Sequence, residues 1–343
     1  MPKRMKSLLL SVAAAILTFS VSRDVAAESA VTTMLYVDNS TGDDISVINL
    51  AMRKVVATIP VGNLPHAICY PADGRKVYTT TELIPTLKVI NSATNTVAET
   101  VPLPARPNEC AVTEDGRYVV VALRGNNTAA IIESATGQIV KTLLIKGAHN
   151  CFTPMGGSND YVYCEEQRGF DIAKIDMKTM DIADRIKVNG EGRPFVVSPD
   201  MNTIYVALSD LSGFAMVDVP TAKVTEIVLP PTQEMACTTE PGNTPTHGIA
   251  LTPDTGKLWI TDVAGAGVYV FDLKTKKLSN KITVGRCPNW IAITTDGKSV
   301  AVSNTESDSV SIIDAKSEKV LSEIPVGKGP KRLEFVNVPA MPS

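Results

Sequence analysis

The chain has 343 residues, 44% of them hydrophobic but only 5% aromatic, and a formal charge of −3 from 33 Lys and Arg against 36 Asp and Glu. A mildly acidic balance with no Lys/Arg block beyond the extreme N-terminus argues against nucleic acid and against anionic lipid as partners. Abundant Val, Ile and Thr, with no long helical stripe past the first two dozen residues, point to many half-buried strands.

In chain order, Lys3, Arg4 and Lys6 precede an apolar run over 7–21, and Val25-Ala26-Ala27 offers small residues for cleavage. Residues 1–27 therefore read as a secretory signal peptide. The run is shorter than the roughly 20 residues a span requires, so no stable membrane insertion is expected after cleavage. Residues 28–343 are expected to form one periplasmic or secreted domain.

The stretches 34–39 and 45–50 read as second and third strands without a first, followed by an outer strand over 55–60. Val61-Gly62-Asn63-Leu64-Pro65 then opens a complete unit. It has an inner strand at 66–71, a turn at Ala72-Asp73-Gly74, strands at 76–81 and 86–91, and an outer strand at 96–103. The V-G-x-x-P pattern returns at Val284-Gly285-Arg286-Cys287-Pro288 and Val326-Gly327-Lys328-Gly329-Pro330, and the turn returns at Thr295-Asp296-Gly297. Alternation such as Leu87, Val89 and Val97, Val101 has the period of two that strands require. Outer strands recur at 55–60, 97–103, 140–145, 182–188, 224–229, 278–284 and 320–326. Units of roughly 40 to 45 residues with several strands each are propeller blades. The expectation is an all-β, seven-bladed β-propeller of four-stranded blades, closed by a C-terminal inner strand at 331–336 that joins the N-terminal strands and protects their edge.

The segments Leu35-Tyr36-Val37-Asp38-Asn39, Ile45-Ser46-Val47-Ile48-Asn49 and Ile59-Pro60-Val61-Gly62 resemble the repeat unit of the YVTN family of secreted β-propellers. The resemblance spans about 31–337 and weakens between 108 and 193, where Met155-Gly156-Gly157-Ser158 replaces the usual turn. It implies the propeller fold and an extracytoplasmic location. It is also compatible with an accessory role in quinoprotein-dependent oxidation, without selecting that role.

Aligning the units on the proline of V-G-x-x-P or its equivalent puts His66, Asn108, His149, Arg193, His247, Asn289 and Lys331 at one depth of the central tunnel, with Asn150 an alternative to His149. All three histidines of the chain fall on this ring. His66, His149 and His247 come from alternate blades and could converge on zinc or copper, leaving an open position for metal-dependent lyase or hydrolase chemistry. Arg193 and Lys331 favour an anion instead, so a small anionic molecule or a periplasmic protein is the expected partner. An envelope adhesion module is a third possibility. Glu109, Glu165, Glu166 and Asp262 are candidate general bases near the same face.

The interval from Arg193 to His247 is a dozen residues too long. The excess, 230–243, joins an outer strand to the next inner strand and so lies over the ring mouth, with Glu234, Met235 and Glu240 as candidate contacts. Six cysteines in a secreted chain suggest pairing. Position in the repeat favours Cys237 with Cys287, Cys151 with Cys164 and Cys69 with Cys110. No nucleophile elbow, zinc-protease motif, phosphate loop or haem-attachment motif is present.

Overall fold

The computed structural model describes residues 31–208, 210–232, 237 and 244–340. The leader and the insertion residues Glu234, Met235 and Glu240 lie outside them. Seven antiparallel sheets follow one another along the chain. In blade 1 the C-terminal strand Pro330–Pro339 pairs with Val31–Asn39, which continues outward to Asp44–Asn49 and Lys54–Pro60. Leu333 opposes Val37 and Phe335 opposes Leu35, so the two ends of the chain share one ladder, as the repeat phase requires. The inner strands of blades 3 to 7 are Cys110–Val112, Ala148–Phe152, Gly192–Val197, Thr246–Leu251 and Pro288–Ile293.

Two strands depart from expectation. In blade 2 the inner segment expected at 66–71 is held to Lys76–Thr81 by two bridges, Pro65 to Thr81 and Cys69 to Tyr78. Left-handed backbone at Asn63 and Leu64 bends the chain into it, and Pro65 and Pro71 have no N–H to give to a ladder. The outer strand of blade 6, expected to run unbroken over 278–284, is split into Lys277–Leu278 and Ile282–Thr283. At the break the Ser279 hydroxyl takes the Val270 N–H at 3.0 Å, the place of a strand carbonyl, so the partner strand stays satisfied.

Packing follows from the two-residue period. Leu35 and Val37 face blade 7, meeting Ala301, Val310 and Ile312, whereas Tyr36 and Val47 face blade 2, meeting Ile68, Val77 and Ile90. Each middle strand is thus apolar on both faces and fixed between neighbours, and each fully buried aliphatic side chain contributes about 1.5–3 kcal/mol. Outer strands such as Asp181–Lys187 expose nearly every residue and carry charges that discourage edge pairing. The six cysteines pair as Cys69–Cys110, Cys151–Cys164 and Cys237–Cys287. Such pairing belongs to an oxidising, extracytoplasmic compartment. Among the described residues no helix is long and apolar enough to cross a membrane.

Candidate ligand site in the central tunnel

The tunnel lining originates in one repeated irregularity. In blades 1, 4, 5, 6 and 7 the ladder between the inner and second strands skips a step, so two inner residues oppose one. Lys331 and Arg332 oppose Asp38, His149 and Asn150 oppose Glu165, and Asn289 and Trp290 oppose Ser303. A bulge of this kind leaves a backbone N–H unpaired and re-aims side chains. The opposing residue supplies the missing partner: Ser303 Oγ accepts from Trp290 N–H at 2.9 Å, and Thr261 Oγ1 from His247 N–H at 3.3 Å.

The first bulge residue of each of these five blades is the ring position, and the register assigns it to His149 rather than Asn150. The second bulge residue forms a tier that the repeat alignment does not reveal. Its central member is Arg332, whose side chain is 2% exposed. Arg332 reaches from blade 1 to three others, donating Nε to Glu109 Oε2 at 2.9 Å, Nη1 to Asn289 Oδ1 at 3.1 Å and Nη2 to His66 Nε2 at 3.2 Å. Its guanidinium also lies 4.1 Å from the centre of the Trp290 ring. A guanidinium only donates, so His66 accepts at Nε2 and carries its proton on Nδ1, 3.7 Å from Glu82. Glu82 is itself ion-paired to Arg106.

His247 donates Nδ1–H to the Asn289 carbonyl at 3.0 Å, which leaves its Nε2 an acceptor. Asn150 Nδ2 bridges His149 Nδ1 at 2.7 Å and Glu165 Oε2 at 2.7 Å, so His149 carries its proton on Nε2. Burial, followed by the charges of Arg332 and Lys331, holds His66 well below the ordinary imidazole range. Burial with Arg193 and Arg332 does the same to His149, and burial with Arg332 and Arg193 to His247. Burial pushes the acids the other way: Asp38 to about 8 and Glu109 to about 7, and Glu165 well above the usual carboxylate range. Several buried polar atoms around the ring lack a hydrogen-bond partner among the described residues, namely both amide atoms of Asn108, Asn150 Oδ1, Glu165 Oε1 and Asp38 Oδ2.

Among the described residues, the one set of three potential ligand atoms close enough for a metal is Cys237, Cys287 and Glu306, and those two cysteines are joined to each other. His66, His149 and His247 share the ring but do not meet within that reach, and the Nε2 lone pair of His66 is engaged by Arg332. Of the carboxylates considered as bases, Glu109 and Glu165 are buried beside the ring, accepting from Arg332 and Asn150 respectively. Glu166 instead pairs with Arg185 at 2.8 Å, and Asp262 accepts from Thr232 at 3.0 Å at the root of the insertion.

A cavity lies past the tier, toward the C-terminal ends of the inner strands. It has a volume of about 600 Å³. The repeat position two past Arg332 holds Glu334, Cys69, Ala111, Phe152, Val196, Ala250 and Ala292, and mostly small side chains cannot fill the axis there. Glu334 lies deep in the molecule with part of its surface on this chamber, and burial raises it to about 8. Arg332, Trp290 and Glu334 escaped the sequence reading because the alignment followed one residue per blade. A bulge at each unit would have directed attention to the next residue as well.

No protein-family model and no curated protein matches the sequence. Solved structures do. A chain of hydrazine synthase from Kuenenia stuttgartiensis aligns with a TM-score of 0.70 at 16% identity, covering 82% of this chain and 92% of that one. Dihydro-heme d1 dehydrogenase NirN in complex with DHE aligns with a TM-score of 0.63 at 14% identity, over 88% of this chain and 74% of that one. Virginiamycin B lyase from Staphylococcus aureus aligns with a TM-score of 0.61 at 16% identity, over 76% and 84%. Likeness at this identity shows a shared propeller fold, on which unrelated functions are built.

Proposed function

We propose that this chain is a periplasmic binding propeller that holds a small polycarboxylate at the ring end of its tunnel. The observation that carries this reading is the concentration of Arg193, Lys331 and Arg332 around three imidazoles that their charge helps keep neutral. A cation entering this field would be repelled. A carboxylate would relieve the mutual repulsion and accept from fixed N–H donors, including His149 Nε2–H. The Asn108 amide, buried without a partner among the described residues, adds a donor. The YVTN-like repeats and the paired cysteines support an extracytoplasmic accessory role, compatible with one beside quinoprotein-dependent oxidation.

The test is thermal unfolding of the mature protein with increasing citrate. A ligand bound by the native state stabilises it by about 2.7 kcal/mol at a hundredfold excess over Kd. The gain should be saturable and should be lost in Arg193→Ala and Lys331→Ala. No saturable gain with citrate or related polycarboxylates would overturn the reading. Stoichiometric zinc or copper that disappears in both His66→Ala and His247→Ala would establish the three-histidine metal centre in its place.

A further inference from the structure

We infer that the chamber at the far end of the tunnel is a second binding site, built for a neutral molecule with an aromatic body and a carbonyl oxygen. Its volume of about 600 Å³ falls within the range of roughly 300–1,000 Å³ typical of small-molecule pockets. Its walls are chiefly apolar: Tyr70, Phe152, Val196, Ala250, Trp290 and Ala292 all line it. Phe152 meets Phe195 edge-on at 5.0 Å and tilts toward Trp290 at 6.1 Å, so one side of the chamber is an aromatic wall. Such a wall favours a flat π-system over an aliphatic chain of equal volume.

Glu334 is a polar group set in this wall, and Trp290 Nε1–H lies 3.5 Å from its Oε1. Depth keeps its carboxyl in the acid form, which has an O–H to donate. A ligand anion would find no fixed positive charge among the described lining residues, and Glu114 would oppose it. A ligand cation would find the deep carboxyl uncharged. A neutral acceptor, such as a ketone or quinonoid oxygen, matches what remains. Arg332 is not among the residues that line the chamber; it stacks on Trp290 and ties Glu109, Asn289 and His66 together between the chamber and the ring. The chamber site therefore does not depend on whether the ring takes an anion.

The experiment is fluorescence titration of the mature protein with prodan, a neutral naphthyl ketone whose emission shifts to the blue on burial. One saturable site per chain is expected, unaffected by saturating citrate. Ala250→Phe and Ala292→Phe, which narrow the chamber, should each weaken binding about tenfold or more while melting stays cooperative. Glu334→Gln, which keeps a donor, should retain binding, and Glu334→Val should weaken it about tenfold, the worth of a buried hydrogen bond. The inference is overturned if wild-type protein shows no saturable binding. It is also overturned if the two Phe variants fold and bind as wild type, or if citrate competes with prodan.

Discussion

Replacing Arg332 with methionine tests whether the second tier holds the propeller together. Arg332 and Glu109 are each 2% exposed and form a hydrogen-bonded pair at 2.9 Å, so solvent does not screen them. Removing one partner of a buried pair leaves the other uncompensated, at a cost of about 3–5 kcal/mol. Loss of the contact over Trp290 adds about 0.5–2 kcal/mol. At about 2.1 cal/mol/K of unfolding entropy per residue, a domain of this size loses roughly 1.5 °C per kcal/mol, so the melting temperature should fall by roughly 5 °C or more. Glu109 already sits at about 7, and without the guanidinium it rises further. A group whose folded pKa is raised loses its stabilising contribution as pH rises toward that value. Wild type and variant lose this contribution in parallel up to about pH 7, above which only the variant, whose carboxyl is still protonated, keeps losing it, so the deficit should widen from about pH 7 to pH 8. The double variant Arg332→Met/Glu109→Leu should recover most of the loss, because an apolar pair of similar volume replaces an ionic one. Urea denaturation of the two single variants, the double variant and wild type across that pH range measures the coupling. A loss below about 1 kcal/mol in the single variant, or a double variant no more stable than the single, would refute the reasoning.

Two further outcomes follow from the same tunnel. Glu334→Gln should gain stability relative to wild type as pH rises from about 4.5 to about 8, because the wild-type carboxyl must keep its proton to stay folded. The slope should reach at most about 1.4 kcal/mol per pH unit, and a pH-independent difference in urea titrations would contradict the burial of that acid. Ser303→Ala removes the acceptor of the buried Trp290 N–H and the donor, at 2.5 Å, to the Lys331 carbonyl. A loss of about 1–3 kcal/mol by urea denaturation is expected, and a loss under half a kcal/mol would show that the bulge needs no side-chain support.

The amino-acid sequence by itself determined the ring of blades. Period-two alternation within strands and Asp- and Gly-bearing turns between them are local properties, and their recurrence about every 42 residues counts the blades without reference to contacts. The closing strand was legible for the same reason, since a first unit lacking an inner strand and a last segment lacking partners complete each other. The cysteine pairs were legible because repeat position translates into spatial position. The ring of His66, His149 and His247 was legible as a depth along the axis, but not as a set of distances. Whether three imidazoles can share an ion depends on the tunnel radius and on which lone pairs are already engaged. Tertiary structure alone decided that Arg332 crosses the axis to Glu109, 223 residues away in the chain, and that it occupies the His66 nitrogen. It also decided that small residues at the next level leave a chamber at the end opposite the histidines. Both outcomes arise where seven strands converge on an axis. There, one long side chain from one blade fills space that no periodic pattern assigns to it.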